Sequence, residues 1–147
     1  MTEESKTPDT PDDSTESITN LSVRRSRTRL TPSAVIGFVA IMQAWNVTDQ
    51  DARNLLGGIS HDQYAAMKDA AFHEELSEDA LIRISYLVGI FKALHTAFGN
   101  KLADTWMIRP NTNAMFGGTT PLAYCLENGI DGLKNVRRLL DAHCQGY

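Results

Sequence analysis

Across residues 31–147 the apolar side chains recur three and four positions apart, and no stretch alternates as a strand would. A chain patterned in this way can bury its apolar surface only as helices. Glycine, proline and capping residues cut the pattern into short lengths, predicting an all-α fold of roughly six or seven helices without an internal repeat.

Thr31 reads as an N-cap with Pro32 at the first helical position, and Val35, Phe38, Met42 and Trp45 form one apolar stripe that Ile36, Val39 and Ile41 widen. A second helix opens at Thr48, whose hydroxyl can accept from the backbone near Asp51, and ends at Gly57-Gly58. Ser60 and Gln63 make a capping box for a third helix that passes Tyr64 and Met67 towards Ala70. Residues 49–71 therefore have the length and punctuation of a helix-turn-helix, a unit that also serves as a plain packing hairpin. In a DNA-reading role Gln63 suits an adenine edge and Tyr64 or Lys68 the phosphate backbone, while Asp62 and Asp69 oppose that approach.

A longer helix is predicted from Ser77, with Glu78 and Asp79 in its first turn, through Leu81, Ile84, Val88, Phe91, His95 and Phe98 to a stop at Gly99. Leu87, Ile90 and Leu94 flank that stripe, which makes this the central packing helix with width left for self-association. His95 falls on the apolar stripe and reads as a hydrogen-bonded core histidine. After a connection at residues 100–104, Trp106 is expected to anchor the last third of the chain. Pro110 with Asn111, Asn113, Gly117 and Gly118 forbids regular helix over 110–118. Thr120-Pro121 then supplies a cap and first helical residue, and Gly129 closes that helix. A final helix from about Asp131 places Leu133, Val136 and Leu140 inward and Lys134, Arg137, Arg138 and Asp141 outward.

Charge is unevenly distributed. Residues 1–20 carry -5, residues 21–30 carry +4 through Arg24, Arg25, Arg27 and Arg29, and the remainder carries -3. The first segment has too few apolar residues to offset the entropy of ordering it and is expected to be disordered. The arginine cluster is either a solvated linker or an arm that touches phosphates or an acidic partner. Nothing in this distribution implies a broad basic face.

Catalysis finds no residues to run on. His61, His73, His95, His143, Cys125 and Cys144 form no nucleophile–base or metal-ligand constellation, and Gly117-Gly118 lacks the lysine and preceding strand of a phosphate loop. Cys125 and Cys144 lack zinc or disulfide-framework spacing and read as reduced thiols. The N-terminus lacks the order of a signal peptide, and the longest apolar-rich run, residues 34–45, falls short of the roughly 20 residues of a membrane span. A cytoplasmic protein without cofactor, metal or membrane partner is the expectation.

One arrangement of residues is more specific than these patterns. Trp106, Pro110-Asn111, Asn113, Phe116-Gly117-Gly118, Thr120-Pro121-Leu122, Gly129 and Val136-Arg137-Arg138-Leu139-Leu140-Asp141-Ala142 follow one another at set spacings. Upstream stand Leu55-Leu56-Gly57-Gly58-Ile59-Ser60, Tyr64, Leu76-Ser77, Asp79, Arg83-Ile84-Ser85 and Lys92-Ala93-Leu94-His95. In this joint order the chain resembles an antitoxin of the Xre/MbcA/ParS type, the partner of RES-domain toxins.

The resemblance implies a non-catalytic protein with a disordered acidic tail and arginine-rich arm (1–29), an Xre-like helix-turn-helix domain (30–99) and a helical toxin-binding module (100–147). It implies a RES-domain toxin that consumes NAD and whose pocket the module blocks, a homodimer that joins the toxin in a hetero-oligomer, and repression of its own operator DNA. The implied toxin contacts are Asn111, Asn113, Phe116 and Gly117 of the loop with Arg137, Arg138, Asp141, His143 and Tyr147 of the last helix and tail. The implied DNA contacts are Ser60, His61, Gln63, Tyr64 and Lys68 with Arg27 and Arg29 of the arm. The competing reading is a stand-alone helix-turn-helix regulator.

Overall fold

Alternation is absent and helix caps are frequent in the sequence, and the computed structural model contains helices and no strand among the residues it describes, 10–145, with side chains from Arg27 onward. The elements are α1 (Thr10–Ala44), α2 (Asp49–Leu55), α3 (His61–Lys68), α4 (Glu78–Ala97), α5 (Asn100–Trp106), a 3-10 turn (Ala114–Phe116) and α6 (Pro121–Cys144). Local chemistry sets most of the starts. Thr48, Ser60, Ser77 and Thr120 each accept a backbone N–H from three residues on, and Ser60–Gln63 closes both halves of its capping box.

Two predicted boundaries are corrected. Thr31 does not cap a helix, because α1 runs continuously through Thr31 and Pro32 from Thr10. The buried Thr31 hydroxyl instead donates to the Arg27 carbonyl (2.6 Å) and accepts from the Leu76 amide (3.2 Å), joining α1 to the segment before α4. The division expected at residues 29–30 thus falls inside a helix, and the disorder expected over residues 1–20 is corrected for 10–20, which belong to α1; residues 1–9 lie outside those described. Gly99 does not end α4 in a left-handed turn. It is extended (φ -66°, ψ 159°) and caps α5, so a helix occupies the connection expected at 100–104.

The core is continuous from Val35 to Leu140. Phe38, Met42 and Trp45 of α1 and Leu133, Val136 and Leu140 of α6 are buried with Leu87, Ile90 and Leu94 of α4, the helix that packs against both. α4 also corrects the expectation about apolar runs: it is 20 residues long, an 18-residue window within it has a mean hydropathy of 1.2, and by length and composition it meets the test for a membrane span. Ile84, Leu87, Ile90 and Leu94 are nevertheless buried within the bundle. His95 is hydrogen-bonded as expected but half-buried at the edge of the core, with Nδ1 2.9 Å from the Phe91 carbonyl, Nε2 3.1 Å from Asp104, and its ring against Phe91.

α6 is a bent element. Gly129 takes φ 63° and ψ -138°, a conformation reserved in practice for glycine, and the two arms fold together there. They approach so closely that a Cβ on Gly132 would lie 2.9 Å from the Asn128 Cβ and 3.1 Å from the Tyr124 carbonyl. Asn135 Nδ2 donates to the Tyr124 hydroxyl across the bend (3.0 Å).

Candidate functional site

α5 and α6 are linked by a loop whose conformation is set by its own side chains. Asn111 Oδ1 accepts from the Asn113 amide (2.8 Å), Asn113 Oδ1 accepts from the Met115 amide (2.9 Å), and the Asn111 amide donates to the Thr119 carbonyl (3.2 Å). The Leu122 amide donates to the Met107 carbonyl (2.9 Å), fixing the start of α6 to the end of α5. Phe116 turns inward between Trp106 and Tyr124, with edge-to-face rings at 5.9 and 5.4 Å, and Gly117 closes the turn at φ 58°. The loop is therefore a preformed surface, which lowers the entropy lost when a partner seats on it.

Beside it lies an open cleft of about 310 Å³, walled by Phe98, Trp106, Asn111, Asn113, Leu139, Leu140, Ala142 and His143. Both asparagines use Oδ1 internally, while neither Nδ2 has an acceptor among the described residues. The His143 ring lies 5.2 Å from that of Phe98. Two fixed amide donors beside an aromatic floor suit a polypeptide that offers carbonyl or carboxylate oxygens and one apolar anchor.

The structure divides the residues expected to meet a toxin. Asn111, Asn113 and His143 share the cleft. Phe116 does not contact it as a surface group: it is 3 % exposed, a correction to its expected role, because the ring closes the module's own core. Arg137 and Asp141 form a separate pair, Arg137 Nε lying 3.0 and 3.1 Å from the two carboxylate oxygens. Arg138 is exposed and has no partner among the described residues. Tyr147 lies outside them. Phe98 and Leu139, two walls of the cleft, were not anticipated as site residues, since both sit on apolar stripes that read as core.

The residues expected to meet DNA are more strongly engaged within the chain. Tyr64 is 3 % exposed and packs edge-to-face on Phe38, so it is corrected from a phosphate contact to a core residue. Burial raises its hydroxyl pKa above the usual 10.0. Gln63 uses Oε1 for the Ser60 cap and donates from Nε2 to Glu74 (3.2 Å), so neither end is free for an adenine edge. Lys68 pairs with Asp49 at 2.7 Å, and that hydrogen bond raises its pKa above 10.5. Arg27 pairs with Glu75 at 3.2 Å. Ser60 caps α3, while His61 and Arg29 are exposed.

Comparison with known families falls on the same part of the chain as the cleft. Residues 93–146 match the family model of the antitoxin Xre/MbcA/ParS C-terminal toxin-binding domain. This segment is therefore similar to that toxin-binding domain. No curated protein and no solved structure matches the chain.

The matched segment begins at Ala93, inside the last turns of α4, and so includes Phe98 and every other wall of the cleft. Its start also precedes the boundary expected at residue 100. α4, in which it begins, packs against α6. α2, α3 and the DNA candidates lie outside the matched domain.

Proposed function

We propose that this chain is the antitoxin of a type II toxin–antitoxin pair, binding a RES-domain toxin in the cytoplasm and stopping NAD degradation by covering the toxin's active site. The observation that carries this reading is the coincidence of the toxin-binding family match with a preformed cleft carrying two unused amide donors. Asn111, Asn113 and His143 are the cleft contacts. Gly117 and Tyr147 extend the same surface, and Arg138, with the Arg137–Asp141 pair, supplies charge on the last arm of α6. The chain acts by occupancy and carries out no reaction of its own. It forms a homodimer that joins the toxin in a hetero-oligomer.

Co-expression tests the proposal. Cells carrying an adjacent RES-domain toxin keep their NAD and grow when this chain is present. Persistent NAD loss at equal expression refutes it.

A second reading, autorepression or stand-alone regulation through DNA, is favoured by the α2–α3 hairpin with its complete capping box at the start of α3. A gel shift on the DNA upstream of the coding frame tests it, and no binding at low salt excludes it.

A further inference from the structure

Three of the side chains best suited to touch DNA are each held by a carboxylate from a neighbouring segment. Lys68 of α3 is 2.7 Å from Asp49 at the start of α2. Gln63 of α3 is 3.2 Å from Glu74, and Arg27 of α1 is 3.2 Å from the adjacent Glu75, which also accepts from the Thr28 hydroxyl at 2.8 Å. Glu74 and Glu75 sit in the segment joining α3 to α4, above a cavity of about 340 Å³ that Thr28, Thr31, Pro32, Phe72 and His73 complete. The carboxylates thus offer these donors anionic oxygen acceptors of the kind that phosphates offer.

The pairs are exposed and weakly closed. Side-chain exposures are 32 % and 35 % for Arg27 and Glu75, and 34 % and 56 % for Lys68 and Asp49. Arg27 Nε is buried and finds no acceptor among the described residues, so the seat satisfies the guanidinium only in part. Exposed ion pairs of this kind contribute little to stability and are readily exchanged for another anion. Polyanionic DNA, with its high local charge density, is the competitor best able to displace them.

We propose that Asp49, Glu74 and Glu75 form an internal phosphate mimic that keeps the helix-turn-helix face in a low-affinity state until DNA displaces it. The inference rests on the DNA-binding role given above as the second reading. It assigns that role a built-in threshold: contact requires exchange of protein carboxylates for phosphates, so only a site that offers several phosphates together opens the face.

The test is binding of the full chain to a random-sequence DNA duplex of about 20 base pairs, followed by fluorescence anisotropy across a salt series. Glu75→Gln/Asp49→Asn releases both cations. Glu127→Gln/Asp131→Asn removes the same charge from exposed positions of α6 and serves as the control. The releasing variant is expected to bind about tenfold more tightly than the control at low salt, with a log–log salt slope steeper by about one to two. Adding Arg27→Ala/Lys68→Ala to it abolishes the gain. If the releasing variant melts early, the single changes Glu75→Gln and Asp49→Asn each carry part of the gain and replace it. Equal binding by releasing and control variants overturns the mimic while leaving the DNA reading in place. Absence of binding by every variant at low salt overturns both.

Discussion

The guanidinium of Arg137 lies over Gly89, in the space that a Cβ at position 89 would occupy. The bare surface of α4 at that point lets an arginine of α6 lie flat between the helices while its Nε holds Asp141. Gly89→Ala expels the guanidinium, which is the end of a flexible side chain. The gain of up to about 1 kcal/mol in helix propensity offsets the lost packing, so net stability changes by less than about 1 kcal/mol. The diagnostic is coupling: Arg137→Ala costs less in the Gly89→Ala background than in the parent by about 0.5 kcal/mol or more, measured by urea denaturation of the double-mutant cycle. Additive costs would show that the contact carries no energy.

Charge reversal separates folding from recognition. Arg138 has no internal partner, so Arg138→Glu is expected to leave the melting temperature within a degree or two and to weaken toxin binding about tenfold or more. Arg137→Glu instead places two acids one turn apart with Asp141, and it destabilises α6 by about 0.5 kcal/mol as well. Calorimetry of each variant with the toxin, beside its thermal melt, distinguishes the two effects.

The bend in α6 depends on two glycines with different duties. Gly129→Ala forces a side chain into φ 63°, ψ -138°, at about 1–3 kcal/mol, and Gly132→Ala drives a methyl against backbone of the other arm at a similar 1–3 kcal/mol. Both variants are expected to lower the urea midpoint by amounts in that range. A midpoint unchanged by either substitution would contradict the hairpin geometry of α6.

Ala70 ends α3 with φ 58°, a left-handed residue whose amide, with that of Ala71, bonds back to Met67 and Ala66 in a Schellman turn. Ala70→Gly relieves that strain and is expected to stabilise the chain by about 0.5–1 kcal/mol, after the greater unfolded-state entropy of glycine is included. A lower melting temperature would mean that the turn differs from the one described.

Alkaline stability follows from three groups whose folded pKa values are raised. Burial pushes the Cys125 thiol from 9.0 to about 12, burial raises Tyr64 above 10.0, and the Asp49 hydrogen bond raises Lys68 above 10.5. In each case the folded state holds its proton to higher pH than the unfolded chain, so stability is complete below pH 9 and falls as pH rises from there. Cys125→Ala removes the thiol's part of the slope between about pH 9 and pH 12, where one such group contributes up to about 1.4 kcal/mol per pH unit. Melts from pH 7 to 11 give the slope for parent and variant, and identical slopes would assign the loss to other groups.

What the sequence made legible was local. Thr48, Ser60, Ser77 and Thr120 cap helices because a hydroxyl and an amide three residues on need nothing else, and Gly129 breaks α6 for the same kind of reason. Pro32 and Gly99 misled because proline and glycine punctuate only by default. Here Thr31 ties α1 to Leu76 across the break expected before Pro32, and Gly99 serves the next helix as an extended cap. Of the residues expected as toxin contacts from the loop and tail, Asn111, Asn113 and His143 come together at one cleft, whereas Phe116 and Tyr64 were misplaced because their burial depends on distant partners, Tyr124 and Phe38. The carboxylates of Glu74 and Glu75 carried no motif at all, and only folding brings them to Gln63 and Arg27.

The central claim, that the cleft beside the Asn111–Asn113 loop seats a toxin, is tested most directly by calorimetric titration of the full chain into a RES-domain toxin, compared with Asn111→Asp/Asn113→Asp. That double change keeps both Oδ1 acceptors that shape the loop and removes the amide donors of two residues that line the cleft. The account predicts tight binding by the parent, at least about a tenfold loss in the variant and an unchanged melting temperature. Equal affinity for both proteins, or no binding by the parent, would contradict it.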